Sequence, residues 1–240
     1  MRFDDKVVAI AGVGREGQVG EAVARAFADR GASLLLIDRD VARARDRAAA
    51  LSGVAAGVLA LGADLADAAG TAEAMRRAES FMKSGLDALV HLAGGFATSG
   101  PVAESEPAVW DHMFAINLKT AVNTSRAFLP ALRVRRGAIV YFASEAALPG
   151  ARTAQISAYA AAKGAVVALM RAVAHEERSH GVRANALAPG TIRTAANEAA
   201  MGAGERYVER AEVAAAVLWL ASEQSSAVTG QLIRLSSRAP

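Results

Sequence analysis

The chain has 240 residues, of which 53% are hydrophobic and 21% charged, with a net charge of +3 and no cysteine. This composition excludes a disordered chain, a disulfide framework and a thiolate metal site. It also argues against nucleic acid as a main partner, because the 27 basic residues are scattered among 24 acidic ones and aromatics are only 5%.

Short β-rich runs alternate with longer helical patterns from end to end. The first strand, Val7–Ala11, leads into Gly12-Val13-Gly14-Arg15-Glu16-Gly17-Gln18-Val19-Gly20, and a helix is expected over Gly20–Arg30. Glycines in a turn between strand and helix let the backbone approach a pyrophosphate, whose charge is favoured at the helix N-terminus. Two registers fit: Gly12, Gly14 and Gly17, or Gly12, Gly14 and Gly20 with Gln18 in place of a glycine. The second strand, Leu34–Asp38, ends in an acid before a helix over Val41–Leu51. Asp38 on its own serves equally as that helix's N-cap or as acceptor for a ribose hydroxyl pair. Glycine turn and acid together favour a nucleotide, since each falls where the other requires it.

Further strands are expected at Val58–Ala63, Ala88–Ala93, Ala138–Ala143, Arg183–Ala188 and Leu232–Leu235. Helices are expected at Ala68–Lys83, Pro107–Arg133, Ser157–His180 and Ala211–Ala221. Such alternation implies parallel strands joined by right-handed crossovers, and runs without polar alternation imply helices on both faces. No linker or repeat divides the chain. The expected fold class is therefore α/β, a single doubly wound Rossmann-type domain over residues 1–240 with a seven-stranded parallel sheet. Ligands would sit at the carboxyl ends of the strands. No run of about eighteen apolar residues stands out, so no membrane span is expected. No signal-peptide core follows Met1–Lys6, and the expected location is the cytoplasm.

Tyr159-Ala160-Ala161-Ala162-Lys163 places a phenol and an ammonium on one helical face. A cation near the phenol would favour phenolate and so assist proton exchange with a substrate hydroxyl or carbonyl. Ser144, at the carboxyl end of a strand, is a candidate donor to a substrate oxygen. On spacing alone, an ordinary surface Tyr–Lys pair and a loop serine explain these residues better.

In order along the chain, however, these and other segments resemble the short-chain dehydrogenase/reductase family, in particular 3-oxoacyl-ACP reductases. Tyr159-x-x-x-Lys163, preceded by Ser157-Ala158, is similar to the family's catalytic pair. Ile139-Val140-Tyr141-Phe142-Ala143-Ser144 is similar to the strand leading to its serine, and Asn117 in Phe114-Ala115-Ile116-Asn117-Leu118 to its helical asparagine. Asn185-Ala186-Leu187-Ala188-Pro189-Gly190-Thr191-Ile192-Arg193-Thr194 resembles the segment beside the nicotinamide. Ala63-Asp64-Leu65 resembles the adenine-side aspartate motif, and His91-Leu92-Ala93-Gly94 stands where N-N-A-G is common.

The resemblance implies an NAD(P)-dependent oxidoreductase that interconverts an alcohol and a carbonyl by hydride transfer. Its catalytic set would be Ser144, Tyr159, Lys163 and Asn117. Tyr159 would act as acid/base, Lys163 would hold the ribose, Ser144 would orient the carbonyl and Asn117 would support a water-linked proton path. The cofactor would meet Gly12, Gly14, Gly17, Val19, Gly20, Asp38, Arg39, Asp64, Leu65, Ala93, Gly94, Tyr159, Lys163, Pro189, Gly190, Ile192 and Thr194. NAD is expected over NADP because Asp38 would repel a 2′-phosphate, with Arg15 and Arg39 arguing the other way. A small-molecule substrate and a homo-oligomer, a tetramer or dimer, are implied, with no metal. The alternative is a catalytically silent nucleotide-binding regulator or scaffold on the same fold.

Several features depart from the family pattern. The glycine turn is two residues longer than usual, and so is the interval from Ser144 to Tyr159. That loop borders the substrate, and its Arg152 and Gln155 are positioned to meet a polar group. His91 replaces an asparagine and reads as structural. Ala195–Tyr207 is short where relatives carry a helical lid, so an open site is expected, and Met201-Gly202-Ala203-Gly204 suggests mobility. Arg234-Leu235-Ser236-Ser237-Arg238 replaces the usual ending. His112, His175 and His180 lack metal-ligand spacing, and the methionines and both tryptophans, Trp110 and Trp219, are expected in the core.

Overall fold

The computed structural model describes residues 1–82, 85–202 and 206–237. Its strands are β1 Val7–Ala11, β2 Ser33–Asp38, β3 Gly57–Gly62, β4 Ala88–His91, β5 Ala138–Phe142, β6 Arg183–Pro189 and β7 Leu232–Leu235. Among the described residues these form one parallel sheet in the order β3-β2-β1-β4-β5-β6-β7, as expected. The order reverses between β1 and β4, which opens a crevice at their carboxyl ends.

The α-helices are α1 Val19–Ala28, α2 Val41–Leu51, α3 Ala68–Met82, α4 Pro107–Phe114, α5 Thr120–Arg135, α6 Ser157–Glu176, α7 Ala195–Met201 and α8 Arg210–Ala221. Alternate strand residues feed two cores. Val8, Ile10, Leu34, Leu36 and Val140 meet α1 and α8 on one face. Ala9, Leu35, Ile37, Ile139 and Tyr141 meet α3, α5 and α6 on the other.

Five expectations need correction. The helix expected over Pro107–Arg133 is two α-helices joined by a π-helical turn at Ala115–Lys119. Its cause is local: the Asn117 side-chain amide donates to the Met113 carbonyl at 3.0 Å, the acceptor its own backbone N–H would take in an α-helix. The helix expected to reach His180 ends at Glu176, before a 3₁₀ turn at Arg178–His180. A short helix, α7, occupies part of Ala195–Tyr207, its first turn capped by Thr194 Oγ1, which accepts from the Asn197 N–H at 3.2 Å. The expected run Met201–Gly204 lies partly outside the described residues, as do Lys83 and Arg238.

Finally, α6 is long and apolar enough by length and composition to cross a bilayer, contrary to expectation. Its inner face, with Val166, Val167, Met170 and Val173, is core. Met1 and Met201 are exposed rather than core, and both tryptophans are half-buried.

Candidate active site

A cavity of about 930 Å³ opens at the carboxyl ends of β1, β4, β5 and β6. One wall is the glycine turn. Gly12 has φ +87°, and a Cβ there would lie 2.5 Å from the Ala93 nitrogen. At Gly20 a Cβ would lie 2.0 Å from the Val13 carbonyl oxygen, so strand and helix could not pack as they do. Gly14 and Gly17 both hold φ +74°. Gly17 is thus required by its backbone angle and Gly20 by close packing, while Gly12, Gly14 and Gly20 line the cavity and Gly17 does not.

Gln18, at the N-cap of α1, makes no side-chain cap, and Gln18, Val19 and Gly20 line the cavity. An uncapped helix start facing a cavity, approached through glycines, fits a pyrophosphate. Asp38 is buried (8% exposed). Its carboxylate accepts from the Gly14 N–H at 2.8 Å and from the Asp40 N–H at 3.0 Å. The cap of α2 is Asp40, which accepts from the N–H groups of Ala42 and Arg43. That removes the N-cap reading of Asp38 and leaves its carboxylate at the edge of the glycine turn, where a ribose would lie.

Ser144, Tyr159 and Lys163 all line the cavity. The Tyr159 ring packs edge-on against Phe96, centroids 5.1 Å apart. Burial pushes the Tyr159 phenol up from its ordinary pKa, opposed by a hydrogen bond with Ser144. The lowering expected from Lys163 does not appear; desolvation sets the direction. Lys163 is itself buried, with Nζ 5.9 Å from the Tyr159 ring centroid and donating to the Phe142 carbonyl at 2.9 Å. Burial pushes its pKa down to about 8, so it remains mostly protonated at neutral pH.

Asn117 does not line the cavity. Its side-chain amide donates to the Gly95 carbonyl at 3.0 Å and accepts from the Gly95 N–H at 3.2 Å. With the Met113 bond, the side chain is occupied in holding the backbone after β4 against the π-turn.

Of the other expected cofactor contacts, Gly94, Pro189, Gly190, Ile192 and Thr194 line the cavity. Gly17, Asp38, Arg39, Asp64, Leu65 and Ala93 do not. Asp64 and Arg39 are exposed, Leu65 is buried and Ala93 backs Gly12. Arg15 and Arg39 make no ion pair among the described residues.

Sequence reasoning missed Phe96, Glu145, Arg234, Asn197 and Met201, all on the cavity wall. Phe96 carried a signal, as an aromatic directly after Gly94-Gly95 at the carboxyl end of a strand. Glu145 and Arg234, paired at 2.6 Å, stand 89 positions apart and carried none. His91 is 2% exposed. Its Nε2 lies 3.3 Å from Thr120 Oγ1, its Nδ1 has no hydrogen-bond partner, and desolvation, with the nearby charge of Lys163, pushes its pKa down to about 3.

A family model described as Enoyl-(Acyl carrier protein) reductase matches residues 12–236. The chain is 36% identical to the 2-(S)-hydroxypropyl-CoM dehydrogenase 3 of Xanthobacter autotrophicus, over 95% of this chain and 94% of that one. It superposes on a 3-oxoacyl-[acyl-carrier protein] reductase with bound NAD from Brucella melitensis with a TM-score of 0.83 and 29% identity, covering 97% and 90% of the two chains. A gluconate 5-dehydrogenase from Burkholderia cenocepacia, in complex with NADP and tartrate, gives a TM-score of 0.87 at 29% identity, covering 98% and 95%.

Proposed function

The chain belongs to the short-chain dehydrogenase/reductase family, an NAD(P)-dependent oxidoreductase acting on alcohol/carbonyl pairs, and on that footing we propose that Ser144, Tyr159 and Lys163 carry its chemistry. The observation that carries this assignment is their convergence on one cavity wall beside the glycine turn. When bound, the nicotinamide supplies or accepts the hydride. Tyr159 gives its phenolic proton to the carbonyl oxygen during reduction and recovers it during oxidation. Its raised pKa keeps the phenol protonated and ready to donate at neutral pH. Ser144 holds the same oxygen as charge develops on it. The Lys163 ammonium, with one donor taken by Phe142, keeps two for ribose hydroxyls and offsets charge on the phenolate. Asn117 is a positioning residue that keeps Gly95 and the end of β4 in place. A panel of small ketones and alcohols with NADH and NAD, followed at the nicotinamide absorbance, tests the reading, and no turnover with any of them would reject it.

NAD is favoured over NADP. A 2′-phosphate beside Asp38 meets a carboxylate at close range, and two unit charges about 4 Å apart repel by about 4 kcal/mol at an effective dielectric of 20. Arg15 and Arg39 are exposed, so their attraction is screened. Asp38→Ala is expected to narrow the gap in affinity between NADH and NADPH by strengthening NADPH binding. Fluorescence titration measures it; tighter NADPH binding by the unaltered protein would refute the preference.

Residues 1–240 act as one dinucleotide-binding and catalytic domain in this reading, located in the cytoplasm with its soluble cofactor. The assembly is a homo-oligomer, most simply a tetramer. Ala161, Ala165, Ala168 and Leu169 form an exposed to half-buried outer face of α6, too apolar to be left in water over its whole length. Light scattering at micromolar concentration is expected to give a multiple of the 24.7 kDa chain mass; a stable monomer would refute it.

A further inference from the structure

Beyond Tyr159 the cavity carries an unmatched cation. Its charged lining residues are Glu145, Arg152, Lys163 and Arg234. Lys163 faces Tyr159 and the Phe142 carbonyl. Arg234 is paired with Glu145 at 2.6 Å, and the Ser236 hydroxyl donates to the same carboxylate oxygen at 3.3 Å. That occupies the only carboxylate among the described lining residues. Arg152 is left with no hydrogen bond or ion pair to any described residue.

The backbone around Arg152 is fixed. The Ala151 N–H donates to the Leu148 carbonyl at 3.2 Å, and the Ile156 N–H to the Thr153 carbonyl at 3.1 Å. The Gln155 carbonyl accepts from the Ser99 N–H at 2.7 Å, and Gln155 itself takes a left-handed φ of +69°, a strained conformation for a residue with a side chain. Gln155, expected to face the substrate, does not line the cavity; its backbone carbonyl makes this anchor. Arg152 thus lines the cavity from a tied-down loop between Ser144 and Tyr159. A guanidinium is a planar fork of donors that matches the two oxygens of a carboxylate.

Resting on the dehydrogenase reading above, we propose that the substrate is a hydroxy or keto acid whose carboxylate is bound by Arg152, making Arg152 a specificity-determining residue. The test uses the full chain with saturating NADH and matched pairs of ketones differing only in charge: 4-oxopentanoate against 4-oxopentanamide, and 5-oxohexanoate against 5-oxohexanamide. The unaltered protein is expected to prefer the acid in at least one pair by about tenfold or more in kcat/KM, as loss of one charge-assisted hydrogen bond implies. In Arg152→Gln that preference disappears through a rise in KM for the acid, while the amide and the affinity for NADH stay within about twofold; Arg152→Lys restores part of it. Added salt weakens the preference, because the arginine is exposed. Equal turnover of acid and amide by the unaltered protein would overturn the proposal and leave the dehydrogenase reading standing. So would a loss of NADH affinity in Arg152→Gln with the acid preference intact. Failure to reduce any ketone or oxidise any alcohol would overturn both.

Discussion

Tyr159→Phe is expected to lower kcat by about 100-fold or more, since positioned acid–base catalysis contributes on that scale. Affinity for NADH should stay within a few fold. The replacement keeps the ring, so the edge-on contact with Phe96 and the nearby Lys163 ammonium survive. What disappears is the hydroxyl, its interaction with Ser144 and the proton passed to the substrate oxygen. A 100-fold loss corresponds to roughly 3 kcal/mol of barrier. Lys163→Ala should behave differently, raising the NADH dissociation constant as well as lowering kcat, because it also leaves the Phe142 carbonyl unpartnered in the core. Steady-state kinetics beside fluorescence titration separates the two patterns. Tyr159→Phe with near-normal turnover would reject the mechanism.

Acid stability should depend on one buried imidazole. In the folded chain the pKa of His91 lies at about 3, against 6.5 for the ordinary side chain. Below pH 6.5 the unfolded chain takes up a proton that the folded chain refuses until about pH 3. Stability from this residue is therefore complete above pH 6.5 and is lost as pH falls towards 3. The full loss is on the order of 4–5 kcal/mol, a large share of a typical domain's stability. His112, His175 and His180 are exposed and lack such burial. Urea unfolding of the unaltered protein between pH 7 and 4 should show a falling midpoint, and His91→Asn, which cannot titrate there, should flatten the upper part of that fall. Parallel profiles for the two proteins would show that His91 does not control the acid limb.

The sheet was readable because each strand is a short β-rich run bounded by turn residues, and its placement followed from strand–helix alternation. Helix ends were less so. Pro107–Arg133 carries a continuous helical pattern, and only the Asn117 amide on the Met113 carbonyl reveals the break. The cap of α7 was visible in principle as Thr194 ahead of Glu198, but seven residues with no apolar stripe give periodicity nothing to register. Asp38 stood open between two roles, and the structure decided because Asp40 does the capping. The spacing of Tyr159 and Lys163 placed both on one helical face, but it was the resemblance along the whole chain that singled them out together with Ser144. The charge balance of the cavity was not legible, since whether Arg152 or Arg234 is the unmatched arginine depends on Glu145 finding a partner 89 positions away.

The π-turn at Ala115–Lys119 also bears on how this chain tolerates insertion and deletion. Such a turn holds one residue more than an α-helix needs. Removing one residue there would let an unbroken helix form, with every ordinary backbone bond available. It would also rotate all that precedes it by about 100° about the helix axis. Met113 would swing off Ala158 and Ala162, the small cluster against which Tyr159 packs. Gly95 would lose the Asn117 clamp. A change that relieves an irregularity in one helix would thus dismantle the support of the acid–base residue on another. The number of residues between Trp110 and Thr120 is held more firmly than their identity, and related sequences should vary in side chain across this stretch without gaining or losing a position.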